Sequence, residues 1–186
     1  MVLIPLAMVI LLISFMSATL AASEKTSNSQ IVYQSPVGFW LVHSNNNGSP
    51  RSVIEINLIK GQLQGYFYTL FYVPGKPWAS TCVDCISPFT GKKLIGMGFM
   101  EDLSPKGKTT HWDSVWGPGT VFNADTNRIY SIKLQQVDDG RRLKVTGCLP
   151  NARFLCRTSY WTRITSKEQL NHYRERGAKD LKTYAP

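Results

Sequence analysis

Charge is missing from the front of this chain. Met1 to Ala22 holds no Asp, Glu, Lys or Arg, and the next eight residues, SEKTSNSQ, are polar. Repeats and low-complexity tracts are missing throughout, which excludes a solenoid or a propeller built from recurring units. No nucleophile elbow and no metal-ligand spacing appears, so the usual residue patterns of a serine hydrolase or a zinc enzyme are not available. Acidic residues are few: 12 Asp and Glu stand against 21 Lys and Arg, a formal net charge of +9. That balance favours anionic neighbours such as lipid head groups, acidic polysaccharide or nucleic acid. Most of the basic residues are scattered, as on any solvated surface, and only the last 24 positions concentrate them.

The uncharged front reads as a secretory leader. It is apolar, ends in small residues, and offers Thr19-Leu20-Ala21 as a cleavage site, although it lacks the usual basic n-region. A run of this length is also sufficient to span a bilayer, so an uncleaved anchor is the alternative. Cleavage divides the chain into a signal peptide (1–21), a flexible linker (22–35), a folded domain (36–164) and a C-terminal helix and tail (165–186). The remaining chain of about 165 residues can bury roughly 70% of its unfolded surface around one core. Export also changes how the cysteines are read. Cys82, Cys85, Cys148 and Cys156 form an even set suited to disulfides in an oxidising compartment.

From Gly38 to Ile164 the chain alternates apolar and polar residues in short runs cut by Gly, Pro, Asn and Asp, the pattern of antiparallel strands. SVIEINLI (52–59) and QLQGYFYTLFY (62–72) flank Lys60-Gly61, a two-residue hairpin turn. This register sets Leu58 opposite Leu63, Ile56 opposite Gly65 and Ile54 opposite Phe67, and expects Thr69 and Phe71 to continue the same core face. In the last hairpin a turn centred near Ala152 sets Cys148 directly opposite Cys156, within disulfide reach. That register puts Leu143, Val145, Leu149, Leu155 and Trp161 on one face. Further runs at 93–103, 111–122 and 127–137, with VGFWLV at 37–42, bring the count to eight. An amphipathic meander of eight strands leaves exposed edges unless it closes. The expected fold is therefore all-β: an eight-stranded antiparallel up-and-down barrel with a short C-terminal helix. Thr165 or Ser166 is expected to cap that helix, Leu170 and Tyr173 to pack on the barrel's outside, and Gly177 to stop it.

A Gly-x-Trp on the first strand and an Arg closing the last, here Gly38, Trp40 and Arg163, resemble the closure of lipocalin-type (calycin) barrels. There the Trp plugs the base and the Arg lies across its ring, a contact worth about 0.5–2 kcal/mol. Trp161 joins the closure set. The lipocalin Thr-Asp-Tyr turn is absent, and Asp138-Asp139-Gly140 stands in its place. A more specific resemblance covers residues 36–164. RSVIEI (51–56), KGQLQGY (60–66), the cysteine loop before LIG (94–96), Tyr130, LKVTG (143–147) and CRTSYWTR (156–163) resemble the exported bacterial family known as domain of unknown function 2147. One departure is FNADTNRIY, where the family carries Asp-Pro and Gly. The resemblance implies an exported, lipocalin-like barrel and no agreed biochemical activity.

Arg157 is the leading candidate for chemistry. It shares the expected inward face with Val145 and Ser159 and stands opposite Gly147, which leaves space beside it. An inward guanidinium can fork to a carboxylate, phosphate or sulfate. The plainer alternative is an internal ion pair with Asp113 or Glu101. Phe67, Phe71, Tyr130 and Trp161 line an apolar cavity in this reading, or fill the barrel solid. Cys82 and Cys85 sit in the one long loop, flanked by strands and followed by Pro88, which favours a structural disulfide over a redox pair or a zinc site. Trp78 beside them makes the loop a candidate lid. His111, Asp113 and Ser114 are the one acid–base grouping considered, and no catalytic residue, metal or cofactor is assigned. The functional expectation is an exported, non-catalytic and monomeric binder of a small amphiphilic or anionic, lipid-like ligand. The alternative is an envelope-associated interaction module with a solid barrel that meets an anionic envelope surface. The aromatic third strand has no interleaved basic residues, so no nucleic-acid platform is expected.

Overall fold

The structure is a computed structural model, described here for residues 35–44, 47–74, 80–107 and 113–184. The expected leader, the linker up to residue 34, Trp78 and His111 lie outside the described residues. Eight antiparallel strands close into a barrel in chain order. They are β1 (Gly38–His43), β2 (Pro50–Ile59), β3 (Gln62–Leu70), β4 (Gly98–Leu103), β5 (Val115–Asn123), β6 (Arg128–Val137), β7 (Arg142–Leu149) and β8 (Ala152–Arg163). A helix, α1 (Lys167–Tyr184), follows.

The β2–β3 hairpin follows its alternation. Ile59 pairs with Gln62 around Lys60 and Gly61, whose φ values of 51° and 80° are those of a tight primed turn. Leu58, Ile56 and Ile54 face Leu63, Gly65 and Phe67 as expected. The register then shifts between Val53 and Ile54, so that Val53 pairs with Thr69. This bulge overturns the expectation that Thr69 and Phe71 continue the core face: the Thr69 hydroxyl meets α1 at Gly177 instead. One extra residue reverses the side to which later side chains point, and Phe71 lies in a second apolar cluster with Leu41 and Val53, outside the barrel. Leu58, on the expected core face, is exposed at the barrel's end.

That outer cluster is what α1 covers. Leu170 and Tyr173 pack on it, and the Arg176 guanidinium lies 4.8 Å from the Phe71 ring centre. Ser166 caps the helix by accepting the Gln169 backbone N–H at 3.1 Å. Hydrogen bonds from the Glu168 backbone and the Ser166 side chain hold the Glu168 carboxyl below its ordinary pKa. The expectation that Gly177 stops the helix is wrong. Gly177 is its buried residue, and the helix continues for seven residues beyond it, to Tyr184. A Cβ there would collide with the Thr69 hydroxyl and sit 2.9 Å from the Leu70 carbonyl oxygen. The missing side chain permits close docking rather than ending the helix. Beyond this contact, Asp180 accepts the Tyr72 backbone N–H at 3.0 Å, and Tyr184 stacks on Tyr72 at 3.8 Å.

Closure occurs where β1 meets β8, with Trp40 paired to Arg163 and Leu41 to Thr162. The Arg163 guanidinium carbon stands 4.2 Å from the centre of the fully buried Trp40 ring. Its Nε donates to the Gly140 carbonyl at 2.7 Å, Nη1 to Val37 at 2.9 Å and Nη2 to Ser35 at 2.6 Å. The Trp40 indole N–H donates to the Pro36 carbonyl at 2.8 Å. Gly38 makes the bend possible, because its φ is +125° and a Cβ would lie 3.3 Å from Arg163 Nη1.

Two stability outcomes follow from these contacts. Arg163→Ala lowers unfolding free energy by about 3 kcal/mol, and Arg163→Lys recovers less than half, because an ammonium cannot reproduce the three-way fork. Gly177→Ala improves intrinsic helix propensity by about 1 kcal/mol, yet destabilises the protein by about 1–3 kcal/mol through the clash with β3. Urea unfolding followed by tryptophan fluorescence measures both.

Candidate functional site

The barrel has two unlike ends. Strand alternation puts the β2–β3 and β6–β7 turns at the base with Trp40 and Arg163. The β1–β2 turn, the long β3–β4 connection, the β5–β6 turn and the β7–β8 turn lie at the mouth. Toward the base the interior is dense, with Ile54, Ile56, Leu63, Leu103, Leu134 and Leu143 all at most 1% exposed. Toward the mouth, Val42, Phe67, Tyr130 and Ser159 are only half-buried.

The β3–β4 connection closes part of the mouth. β4 begins at Gly98 rather than near residue 93, because Leu94 and Met97 leave the strand path and turn into the core. Cys82 and Phe89 enter the same core, and Phe89 stacks on Phe122 with ring centres 4.0 Å apart. Cys82 and Cys85 form a loop disulfide with Cα atoms 5.3 Å apart. Asn127, in the β5–β6 turn, accepts the Ile86 backbone N–H at 2.7 Å and donates to the Asp84 carbonyl at 2.8 Å. These bonds fasten the loop to the rim.

In the last hairpin the expected pairings Leu143–Trp161, Val145–Ser159, Gly147–Arg157 and Cys148–Cys156 are all present. Cys148 and Cys156 form the second disulfide, with Cα atoms 4.0 Å apart. A register shift after Cys148 pairs Leu149 with Ala152, so the turn is Pro150-Asn151 rather than centred on residue 152. Trp161 is buried in the core beside Leu143. Alternation puts Ser159 and Arg157 on that same inward side, but Arg157 is exposed, with the space beside Gly147 open: a Cβ at Gly147 would meet no atom within 4 Å. Arg157 forms no ion pair with a described residue, so the alternative pairing with Asp113 or Glu101 is not present among them.

The structure thus brings Arg157, Ser159, Phe67 and Tyr130 to the mouth-side half of the barrel and sends Phe71 outside it. Phe67 stacks on Phe99 at 4.1 Å, and the Tyr130 hydroxyl lies 3.1 Å from the Thr126 hydroxyl. Asp113 is exposed and its carbonyl accepts from Gln135. Leu155, expected on the core face with Leu143 and Val145, is instead exposed, and with Ile129 and Phe154 it forms an apolar rim that sequence reasoning missed. The signal was available, since Phe154 and Leu155 are adjacent residues on a strand and cannot both point inward.

Residues 38–163 match the bacterial family described as an uncharacterized protein conserved in bacteria, domain of unknown function 2147. The chain belongs to this family. In sequence, no curated protein matches it. In structure it is similar to a Helicobacter pylori protein described as belonging to the lipocalin family. The TM-score is 0.60 at 18% identity, covering 79% of this chain and 98% of the other. That likeness establishes a lipocalin-like barrel fold. Two disulfides in a bacterial family are consistent with an oxidising compartment.

The disulfides give a direct check. The oxidised protein is lighter than its reduced form by four hydrogens, two for each bond. Replacing Cys148 and Cys156 with serine costs about 2–3 kcal/mol, measured by thermal unfolding, and leaves the Cys82–Cys85 bond intact in a peptide map.

Proposed function

We propose that this protein is an exported, non-catalytic carrier that takes a small amphiphile with an anionic head at the mouth of its barrel. The carrying observation is Arg157, an exposed guanidinium on the lumen side of β8 beside the unfilled space at Gly147. A guanidinium presents a planar fork of donors that matches a carboxylate or phosphate. Ser159, two residues toward the base, adds a hydroxyl on the same side. The half-buried Phe67 and Tyr130 supply apolar surface for the proximal part of a tail. The dense base limits how deep a tail reaches, so the site is a shallow cup. The apolar leader and the two disulfides support export.

Hexadecanoate is a suitable probe, with the alcohol of the same chain length as its control. Titrated against the exported protein by calorimetry, hexadecanoate binds the parent chain. Arg157→Gln weakens that binding about 10- to 100-fold, the range for losing a charged hydrogen-bonded partner. The alcohol binds parent and variant alike. Equal affinity of both proteins for hexadecanoate, or no binding of either probe, overturns the proposal.

A further inference from the structure

We infer that the mouth of the barrel is a docking surface for anionic bilayers, with the β7–β8 tip as its inserting element. This goes beyond ligand binding and does not rest on it, since a barrel with a filled interior could dock in the same way.

The argument begins at Phe154 and Leu155. They are consecutive on β8, so their side chains leave opposite faces of the hairpin, and they are 85% and 53% exposed. A hairpin tip that is apolar on both faces has no side left to turn toward water. Ile129, on the neighbouring strand β6, is 38% exposed. Across the rim, the loop tied down by Asn127 presents Val83 at 67% and Ile86 at 38%. Monomeric proteins seldom group exposed apolar side chains in this way unless the patch meets a partner or a membrane.

Charge selects the partner. Arg128 precedes Ile129, Arg157 follows the apolar tip, and Lys92 and Lys93 lie on the rim loop, all of them exposed. Of the acids nearby, Asp125 is already paired with Arg51 at 2.6 Å, leaving Asp84 on the loop itself. Apolar tips projecting beyond a collar of cations match the layering of an anionic interface, with phosphates outside and acyl chains beneath. Two register features stiffen the tip for that task. The Cys148–Cys156 disulfide ties its strands together on the outward side, and the bulge after Cys148 ends in a two-residue turn. The base differs: its exposed Leu58 and Ile59 adjoin a single exposed cation, Lys60, and the basic Arg141 and Arg142 of the β6–β7 turn are paired with Asp139 and Asp138.

Vesicles of phosphatidylcholine alone, and of phosphatidylcholine mixed with phosphatidylglycerol bearing brominated acyl chains, test the inference on the full chain. Phe154→Trp reports the mouth and Lys60→Trp the base. Read as the difference from the parent chain, whose five native tryptophans give a common background, Phe154→Trp adds emission that brominated anionic vesicles quench, and Lys60→Trp adds emission that they do not. Lys93→Gln with Arg128→Gln reduces partitioning onto anionic vesicles roughly tenfold or more, while high salt does the same to the parent chain. Because quenching is position-specific, an anchoring leader cannot mimic it. Quenching at 60 rather than 154, equal partitioning onto both vesicle types, or no quenching at either position overturns the inference. So does a photo-cross-linker at 154 that labels an envelope protein and no lipid.

Discussion

One guanidinium holds the two ends of this chain's folded region together. Arg163 lies over the Trp40 ring and binds three backbone carbonyls, from Ser35, Val37 and Gly140. Those carbonyls belong to the approach to the first strand and to the turn between the sixth and seventh. The contact therefore joins segments far apart in sequence, and it does so at a seam with two strand pairs, where the β7–β8 ladder has eight. A short seam contributes few ladder hydrogen bonds. The side-chain latch supplies what the backbone does not, and a lysine could not do so, because one ammonium cannot span three divergent acceptors.

Sealing one end makes the other end the place where function can reside. With Trp40 filling the base and leucine and isoleucine packed above it, the less buried part of the barrel's interior lies toward the mouth. The molecule then spends its irregular chain there. The long connection between β3 and β4 folds over part of the opening, braced by its disulfide and by Asn127. The last hairpin rises as a disulfide-bonded tip, with Phe154 and Arg157 both exposed on it. The helix is committed elsewhere: it covers the outer face of β1 to β3, where the bulge at Val53 has turned Phe71 outward. That arrangement keeps α1 off the mouth while burying an apolar patch that the barrel alone would leave wet.

Much of this was legible in the residues. Period-two alternation gave the eight strands, and Lys60-Gly61 and the cysteine pair gave two hairpin registers, because each depends only on local backbone geometry. Gly38, Trp40 and Arg163 announced the closure. What escaped was set by longer-range packing. No residue between Val53 and Phe71 advertises the bulge, so Phe71 was assigned to the wrong face. Gly177 carried a stop signal by propensity, but its actual role depends on Thr69 and Leu70, about a hundred residues earlier. Arg157 was expected on the inward face, as a ligand anchor or as one half of an internal ion pair, and it is exposed and forms no ion pair with a described residue. Alternation gave its pairing with Gly147, whereas its exposure depended on how far the hairpin projects beyond the core.

The central claim is a barrel sealed at its base by the arginine latch and accessible at its mouth. Hydrogen exchange followed by NMR tests it most directly, with the Trp40 indole proton and the Leu41 amide reporting the base and the Tyr130 and Ser159 amides the mouth. The account predicts base protons exchanging only through global unfolding, and mouth protons exchanging through far cheaper local openings. Equal protection at both ends, or a base that exchanges faster than the mouth, would contradict it.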